Sequence, residues 1–247
     1  MSASILVVTG TDTGVGKTIV TAAIAAVARA DGKRVGVMKA AQTGVTGLEE
    51  SDIDVITRLA QPSCVAEGAR YREALAPDAA IRVAGELPVP MVTVTATVDG
   101  WRSQCDLILV EGAGGLLVGL DDAGSTIAEL AADLGASVVV VTRANLGTLN
   151  HTGLTLEAMA SRELRCAGVI IGSWPSAAGI DCQSNLVDLP KVIGSELAGV
   201  LPAGVSKLNR FDFERAARQG LAPRFGGHFD AADFRRLSAP VLLTTNA

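Results

Sequence analysis

The residues best suited to chemistry lie close to the start of the chain, in the segment VVTGTDTGVGKT, residues 7–18. Its last three residues, Gly16-Lys17-Thr18, fit the end of the phosphate-binding pattern G-x-x-x-x-G-K-[ST]. That pattern requires a glycine at position 11, where the chain has Thr11, and the glycine stands one position earlier, at Gly10. The segment is a near match, and its additional polar residues need an explanation.

The composition of this segment suits the binding of a polyphosphate. Gly14 and Gly16 let the backbone curl so that successive N–H groups face an anion, and a helix beginning at Thr18 adds the positive end of its dipole. Lys17 can reach the β- and γ-phosphates, and the Thr18 hydroxyl can hold Mg²⁺. A turn that only connects two elements is the alternative, but a strand before it and a helix after it favour a phosphate site.

Three charged residues further along the chain could complete such a site. Glu111 ends the apolar run in DLILVEGAGG, where a carboxylate would meet nucleotide-bound Mg²⁺. Lys39 ends the run in VMKAAQTG, where its compact charge would stand beside the phosphates. An ordinary surface charge is the alternative for both. Asp52, in EESDID, fits a second Mg²⁺ ligand and a helix cap or first-turn acid equally well.

The elements that must position these residues follow from the hydrophobic pattern. ILVVTG (5–10) predicts a buried strand, TIVTAAIAAVARAD (18–31) an alanine-rich helix, and RVGVMKA (34–40) a second strand. A strand, glycine-rich turn, helix and strand in this order form a βαβ unit, which requires a parallel pair and a right-handed crossover. The loop then lies at the carboxyl edge of the sheet, where open α/β folds bind their ligands.

The rest of the chain continues the alternation of strands and helices. Further strands are predicted at 106–112, 137–142, 166–173 and 197–203, and helices at 126–135, 151–164, 211–219 and 231–237. Residues 62–90 carry proline and glycine without periodicity, which predicts loops and short helices, and the tail after Pro240 could be ordered or frayed. We predict one doubly wound, mostly parallel α/β sheet with helices on both faces, in a single domain over residues 1–247.

The composition supports this fold class and excludes some functions. Of 247 residues, 49% are hydrophobic and 3% aromatic, which suits small-residue helices on buried strands. The net charge of −5 argues against binding to nucleic acid or an acidic membrane. Without a basic leader or an apolar run of about 18 residues, no signal peptide or membrane span is expected.

The four cysteines have no metal-ligand spacing. We expect reduced, mostly buried thiols in a cytoplasmic protein at all four positions: Cys64, Cys105, Cys166 and Cys182.

The motifs, taken in order, resemble those of the ATP-dependent dethiobiotin synthetases, a family of biotin synthesis within the deviant P-loop ATPases. The resemblance covers residues 5 to about 175 and rests on GTDTGVGKT (10–18), KAAQTG (39–44), SD (51–52), VEGAGGL (110–116) and NLGTLNHT (145–152). It implies a P-loop α/β fold and a homodimer. It also implies a reaction in which 7,8-diaminononanoate takes up CO₂, ATP phosphorylates the resulting carbamate, and the neighbouring amine closes the ureido ring.

The resemblance also implies roles for individual residues. The diamine, CO₂ or bicarbonate, and ATP would be the substrates, and Mg²⁺ the cofactor. Thr11, Lys17 and Lys39 would act in catalysis, with Thr18, Asp52 and Glu111 at the metal. The substrate would contact Thr11, Lys39, Thr43 and, from the partner subunit's helix start, the stretch Gly147, Thr148, Leu149 and Asn150. The nucleotide would contact Asp12, Thr13, Gly14, Val15, Gly16, Lys17, Thr18, Gly172, Ser173, Trp174 and Pro175.

One segment departs from the family pattern. The strand end that binds the base often carries Asn in this family, whereas this chain has Gly172 followed by Ser173-Trp174-Pro175. Adenine selectivity could then depend on backbone groups or be relaxed toward other nucleoside triphosphates. His151 is expected to be a packing or helix-start residue and not a base, and the segment 205–247 has no assigned role.

Two alternatives remain and one is excluded. Another P-loop amidoligase would leave NLGTLNH unexplained. A switch ATPase of the deviant P-loop group carries a signature lysine early in the loop, where this chain has Asp12, and the candidate basic tails, Arg215 to Arg218 and Arg235-Arg236, are weak. A dinucleotide-binding Rossmann fold fails because the glycine spacing is not G-x-G-x-x-G.

Overall fold

A computed structural model describes residues 3–47 and 49–239. The main sheet consists of β1 Ser4–Gly10, β2 Val35–Lys39, β4 Cys64–Glu67, β6 Leu107–Gly115, β7 Ser137–Thr142, β8 Cys166–Trp174 and β9 Gly199–Pro202. These strands lie side by side in the order β4-β2-β6-β1-β7-β8-β9, and each neighbouring pair is parallel. A short parallel pair, β3 Gln42–Thr43 and β5 Arg70–Tyr71, lies beside it. The carboxyl ends of β1, β2, β6 and β7 therefore meet at one edge.

Helices cover both faces of the sheet. They are α1 Lys17–Ala30, α2 Asp52–Ala60, α3 Pro77–Ala84, α4 Met91–Trp101, α5 Ile127–Asp133, α6 Thr148–Ala160, α7 Ile180–Ile193, α8 Arg210–Gly220 and α9 Ala231–Ser238. On one face, α1, α2 and α8 pack against one another over the sheet. Within the described ranges, no helix is long and apolar enough to cross a membrane.

Successive strand residues point into two different hydrophobic cores. In β7, Val138 and Val140 belong to one core, whereas Val139 and Val141 belong to the core under α1 and α8. This follows from the two-residue repeat of a strand, whose side chains alternate between the faces. Because both faces are covered, the strands are apolar throughout, and the predicted doubly wound α/β fold is confirmed.

Most predicted elements lie within a few residues of their observed ends, and residues 62–90 fit their prediction only in part. The short helix α3 and the loops around it are confirmed, but the prediction missed β4 and β5, of which β4 forms the edge of the main sheet. An edge strand of four residues has too few positions to show a pattern. The tail after Pro240 lies outside the described residues. The single domain over residues 1–247 stays a prediction.

The unassigned segment after residue 205 returns over the sheet. After β9 the chain passes the last turn of α2, where the Arg58 guanidinium donates to the Ser206 carbonyl at 3.1 Å, and continues into α8. Phe213 of α8 is 1% exposed and packs in the core beneath α1. Through residue 220, this segment covers the α1 and α2 face of the sheet.

The four thiols are free, as predicted, but the expectation that they are mostly buried was only half right. Cys105 and Cys182 are buried, Cys64 is half-buried, and Cys166 is exposed because it is the first residue of β8, where the strand emerges from the sheet. Burial raises the pKa of the Cys105 thiol to about 11, which keeps it protonated and unreactive at neutral pH.

Thr9, in β1, provides a stability prediction. Its side chain is fully buried, and its hydroxyl has no hydrogen-bond partner among the described residues. A buried hydroxyl without a partner costs free energy that an apolar group of the same shape does not. We expect Thr9→Val to raise the free energy of unfolding by about 1 kcal/mol, measured by urea denaturation. A decrease would show that the hydroxyl is satisfied in solution.

Candidate active site

The glycine-rich loop connects β1 to α1 at the carboxyl edge of the sheet. Gly16 precedes α1 with φ of 98°, a left-handed conformation that favours glycine. Gly10, the shifted glycine, is needed for a different reason. A Cβ there would lie 2.8 Å from the Asp12 carbonyl oxygen and 3.1 Å from the Lys17 Nζ, because the loop folds back over this position. The early glycine therefore leaves room for the lysine.

Lys39 lies at the centre of a buried ionic cluster beneath the loop. Its Nζ is 2.6 Å from Oδ2 of Asp52 and 2.7 Å from Oε1 of Glu111, and it donates to the Gly112 carbonyl at 3.1 Å. Lys39 is 3% exposed and Glu111 is fully buried. The strand register explains the contact, because β2 pairs with β6 so that Lys39 faces Glu111. Lys39 is therefore a buried, doubly paired cation and not a solvated surface lysine.

Asp52 fits both descriptions that the sequence left open. It is the first residue of α2, whose N-cap is Ser51 in a capping box with Asp54, so it lies where a first-turn acid is favourable. Its carboxylate also reaches Lys39. Gln42 fixes the start of this helix, because its side-chain oxygen accepts from the Asp52 N–H at 3.0 Å. The helix start thus carries the carboxylate into the ionic cluster.

The arrangement around Glu111 fits a divalent cation. Its Oε1 accepts from the Thr18 hydroxyl at 2.9 Å, whereas its buried Oε2 has no hydrogen-bond partner among the described residues. No group of three or more His, Cys, Asp and Glu that could hold a metal occurs in the described chain, and this site has two carboxylates. Two carboxylates and a hydroxyl suit Mg²⁺, which keeps several waters and takes further oxygens from phosphates. Thr18, Asp52 and Glu111 are therefore a chemically suitable set for it.

Two lysines stand close together in this site, and their environments differ. Burial lowers the pKa of Lys39, but the carboxylates of Glu111 and Asp52 raise it by more, so that its pKa lies above the usual value. Burial lowers the pKa of Lys17, and the positive charge of Lys39 lowers it further. Lys17 donates to the Asp12 carbonyl at 3.1 Å, which is a neutral partner. Lys17 is thus the cation in need of an anionic ligand.

This difference predicts how nucleotide affinity depends on pH. The prediction for Lys17 is that its protonated form binds phosphate, and its pKa in the free protein is lowered. Above that lowered pKa, binding must take up a proton, so affinity for Mg·ATP is expected to fall by up to tenfold per pH unit until the pKa of Lys17 in the complex is reached. Calorimetric titration in buffers of different ionisation enthalpy checks this. The uptake should disappear in Lys17→Met, and its persistence there would assign the proton to another group.

A cavity of about 360 Å³ opens above the cluster. It brings together most of the residues predicted for the phosphates, the metal and the substrate amine. Its lining is Thr13, Gly14, Gly16, Lys17, Thr18, Ile19, Lys39, Ala41, Gln42, Thr43, Asp52, Ala113 and Gly114. Val15, predicted to contact the nucleotide, is buried beneath the loop. The loop glycines and the two lysines around this cavity suit a triphosphate.

A second groove, of about 330 Å³, lies on the other side of the loop. It runs from Gly10 and Thr11 to Leu154 on α6, and its sides are mainly apolar. Next to it lies the start of α6. Gly147 precedes the helix with φ of 91°, Thr148 is buried, Leu149 is half-buried and Asn150 is exposed. An elongated apolar substrate with a polar end toward Thr11 suits this groove.

The residues predicted for the base lie apart from these two cavities. Gly172 is buried against the loop, where a Cβ would lie 2.1 Å from the Val15 carbonyl oxygen. Ser173 is exposed, Pro175 is half-buried, and Trp174 packs edge-on against Phe234 with ring centroids 5.3 Å apart. Gly172 therefore supports the loop from below, and Trp174 contacts the last described helix.

The predicted nucleotide contact Asp12 has a partner that the sequence did not indicate. Its carboxylate lies 2.7 Å from Nη2 of Arg143, the residue that follows β7. Thr142, the last residue of β7, was also missed, although its hydroxyl contacts three other threonines. Both contacts span more than a hundred residues of chain between the loop and β7. Only the alignment of β1 beside β7 creates them.

Comparison with known proteins shows the family of the chain. The family model of an AAA domain matches residues 4–206. The ATP-dependent dethiobiotin synthetase BioD of Parafrankia sp. (strain EAN1pec) is 50% identical over 234 residues, 94% of this chain and 98% of that protein. The chain belongs to the dethiobiotin synthetase family. The synthetase BioD of Saccharopolyspora erythraea is 51% identical over 226 residues, covering 92% of this chain and 99% of the relative. The resemblance drawn from the motifs is confirmed.

Solved structures with low identity show the same fold. The septum site-determining protein MinD of Pyrococcus horikoshii, complexed with Mg-ADP, has a TM-score of 0.56 at 15% identity, over 100% of this chain and 98% of that one. A ParA family ATPase of Chlorobium tepidum has a TM-score of 0.56 at 16% identity, over 91% and 96% of the two chains. These structural similarities confirm the predicted P-loop fold.

Proposed function

We propose that this chain is an ATP-dependent dethiobiotin synthetase. It takes 7,8-diaminononanoate, CO₂ and ATP, and it releases dethiobiotin, ADP and phosphate. One amine of the diamine adds to CO₂ and loses a proton to form a carbamate. The carbamate oxygen takes the γ-phosphoryl group of ATP, and the second amine attacks the carbamate carbon and displaces phosphate, which closes the ureido ring.

The observation that carries this proposal is the pair of buried lysines that line one of the two cavities at the loop. A carbamate anion and a triphosphate repel each other, so their reaction needs positive charge where they meet. Lys17 and Lys39 line the phosphate cavity, and Thr11 lines the groove on the other side of the same loop. We assign the triphosphate to the cavity and the diamine to the groove. The γ-phosphoryl group would then be transferred to the carbamate at the front of the loop.

Thr18, Asp52 and Glu111 would hold Mg²⁺ beside the phosphates. When bound, the ion neutralises negative charge on the β- and γ-phosphates. Lys39 would also position the metal ligands, because its Nζ holds the carboxylates of Asp52 and Glu111 in place. Thr18 contributes its hydroxyl from the first turn of α1.

The substrate carboxylate and the subunit arrangement belong to the same proposal. The start of α6 offers unpaired N–H groups and a positive dipole end, which suit a carboxylate. Exposed apolar side chains surround the groove and the helix start: Leu117, Leu146 and Leu154. We propose a homodimer in which these leucines are covered and the start of α6 holds the carboxylate of the substrate in the partner's site.

Turnover tests the proposal directly. The protein is supplied with the diamine, bicarbonate, Mg²⁺ and ATP, and dethiobiotin and phosphate are measured together. One phosphate per dethiobiotin is expected. Phosphate release that does not depend on the diamine would refute the proposal and would favour a switch ATPase, which binding to liposomes or DNA only with ATP would then identify.

The glycine at the base-binding strand end predicts relaxed nucleotide selectivity. Gly172 carries no amide, so a base would meet backbone groups and the half-buried Trp174 and Pro175. Backbone groups alone discriminate weakly between bases, and we expect kcat/KM for CTP and GTP within about tenfold of that for ATP. Initial rates with the three nucleotides check this. A preference for ATP above about 100-fold would show that a group other than these recognises the adenine selectively.

A further inference from the structure

A cluster of four threonine hydroxyls joins the loop to the start of α6. At its centre, the hydroxyl of Thr142 lies 2.7 Å from that of Thr148, 2.9 Å from that of Thr152 and 3.3 Å from that of Thr11. Thr142, Thr148 and Thr152 are all fully buried. A hydroxyl has one donor and two acceptor positions, so three partners use the full capacity of Thr142. Its orientation is therefore fixed from three sides.

The partners of Thr142 belong to two different parts of the proposed substrate site. Thr11 lines the diamine groove at the front of the loop. Thr148 and Thr152 lie four residues apart on α6 and so face the same way, toward the end of β7. Thr148 is also the first residue of this helix, next to the turn at Gly147. One buried hydroxyl thus contacts the segment at the reacting end and the segment at the carboxylate end.

The end of β7 holds the loop front by two further contacts. The Thr11 N–H donates to the Val141 carbonyl at 2.9 Å, and the Arg143 guanidinium lies 2.7 Å from the Asp12 carboxylate. The last two residues of β7 and Arg143 directly after them therefore contact two successive residues of the loop. The backbone and ionic contacts hold the loop near the strand, and the hydroxyl of Thr142 is the one of these three contacts that also reaches α6.

We propose that Thr142 is a positioning residue for the diamine. It fixes the hydroxyl of Thr11 and the first turns of α6 relative to each other, and it touches no substrate itself. This inference rests on the proposed function. In the proposed dimer, the helix start serves the partner's site, so Thr142 affects the reacting end of one diamine and the carboxylate end of the other.

The test compares three substitutions at buried threonines. Thr142→Val keeps the shape and removes the hydroxyl, Thr142→Ser restores a hydroxyl, and Thr9→Val removes a buried hydroxyl without a partner from the neighbouring strand. We expect Thr142→Val to raise KM for the diamine about tenfold and lower kcat by a similar factor, since a small misplacement of reacting groups has large effects. KM for ATP should change less than twofold.

The other two variants give the test its specificity. Thr142→Ser should return KM for the diamine to within about threefold of the unmodified protein, and Thr9→Val should leave KM and kcat within twofold. Equal losses in Thr142→Val and Thr9→Val, or an unchanged KM for the diamine in Thr142→Val, would overturn the proposal. If Thr142→Val does not fold, Thr152→Val removes one partner instead and should raise the same KM.

A readout that needs no turnover separates this proposal from the proposed function. Hydrogen exchange of the backbone amides in residues 10–16 and 148–152 is expected to be faster in Thr142→Val and unchanged in Thr9→Val. If the unmodified protein does not form dethiobiotin, the proposed function fails, and faster exchange in Thr142→Val would still show that Thr142 fixes the loop and the start of α6 relative to each other. Exchange unchanged in both segments would refute the positioning role.

Discussion

Replacing Lys39 by methionine is expected to lower the rate of dethiobiotin formation by 100-fold or more, on the order of 3 kcal/mol of transition-state stabilisation. The substitution removes the cation that the proposed reaction needs between the carbamate and the γ-phosphoryl group. It also leaves the carboxylates of Asp52 and Glu111 facing each other without the Nζ that lies 2.6 Å from one and 2.7 Å from the other. Initial rates at saturating ATP and diamine measure the effect.

Loss of folding must be separated from loss of chemistry in this variant. Breaking a buried ion pair by removing one partner costs about 3–5 kcal/mol, because the remaining charge stays buried. Glu111 is fully buried, so the double variant Lys39→Met/Glu111→Gln should recover much of the stability of the single variant. It should not recover turnover. Lys191→Met, at an exposed lysine on α7, is the control and should behave normally. Near-normal turnover in Lys39→Met would remove Lys39 from the mechanism.

Much of this site was predictable because the chemistry lies at the ends of apolar strands. Lys39 and Glu111 each end a run of buried residues, and parallel strands bring their carboxyl ends to one edge. The sequence could not show that the two side chains touch. That contact depends on β2 lying directly beside β6, and an order of strands is not encoded in any one segment.

Other parts were hidden by weak local signals. The segment MVTVTATVDGW is rich in β-branched residues and alternates valine with threonine, as a strand does. It nevertheless forms helix α4, with Val94 and Val98 buried on one side. Tertiary packing decides its structure, since the four-residue spacing of these two valines suits a helix facing the sheet. The threonine cluster was equally hidden, because threonine is common in strands and nothing in the sequence shows that four of them meet.

Gly172 shows how the structure changes an interpretation made from sequence. The missing asparagine suggested weaker recognition of adenine. In the structure, the loop lies so close to β8 that a Cβ at this position would be 2.1 Å from the Val15 carbonyl oxygen and 3.1 Å from the Gly16 Cα. Atoms of the backbone cannot give way without moving the loop. With the loop in this position, residue 172 has space only for glycine.

Gly172→Ala is therefore expected to weaken the binding of Mg·ATP at least tenfold, about 1.4 kcal/mol. The added methyl group must push Val15 and Gly16 away from β8, and these residues carry the N–H groups that would surround the phosphates. Titration calorimetry with a non-hydrolysable ATP analogue measures the affinity.

Gly100→Ala is the matched control, since Gly100 lies in α4 with no neighbouring atom within 4 Å of an added Cβ. It should keep full affinity and gain about 1 kcal/mol of stability from better helix propensity. If Gly172→Ala binds the analogue as tightly as Gly100→Ala does, the loop can leave β8 at little cost, and glycine at position 172 then affects only the base.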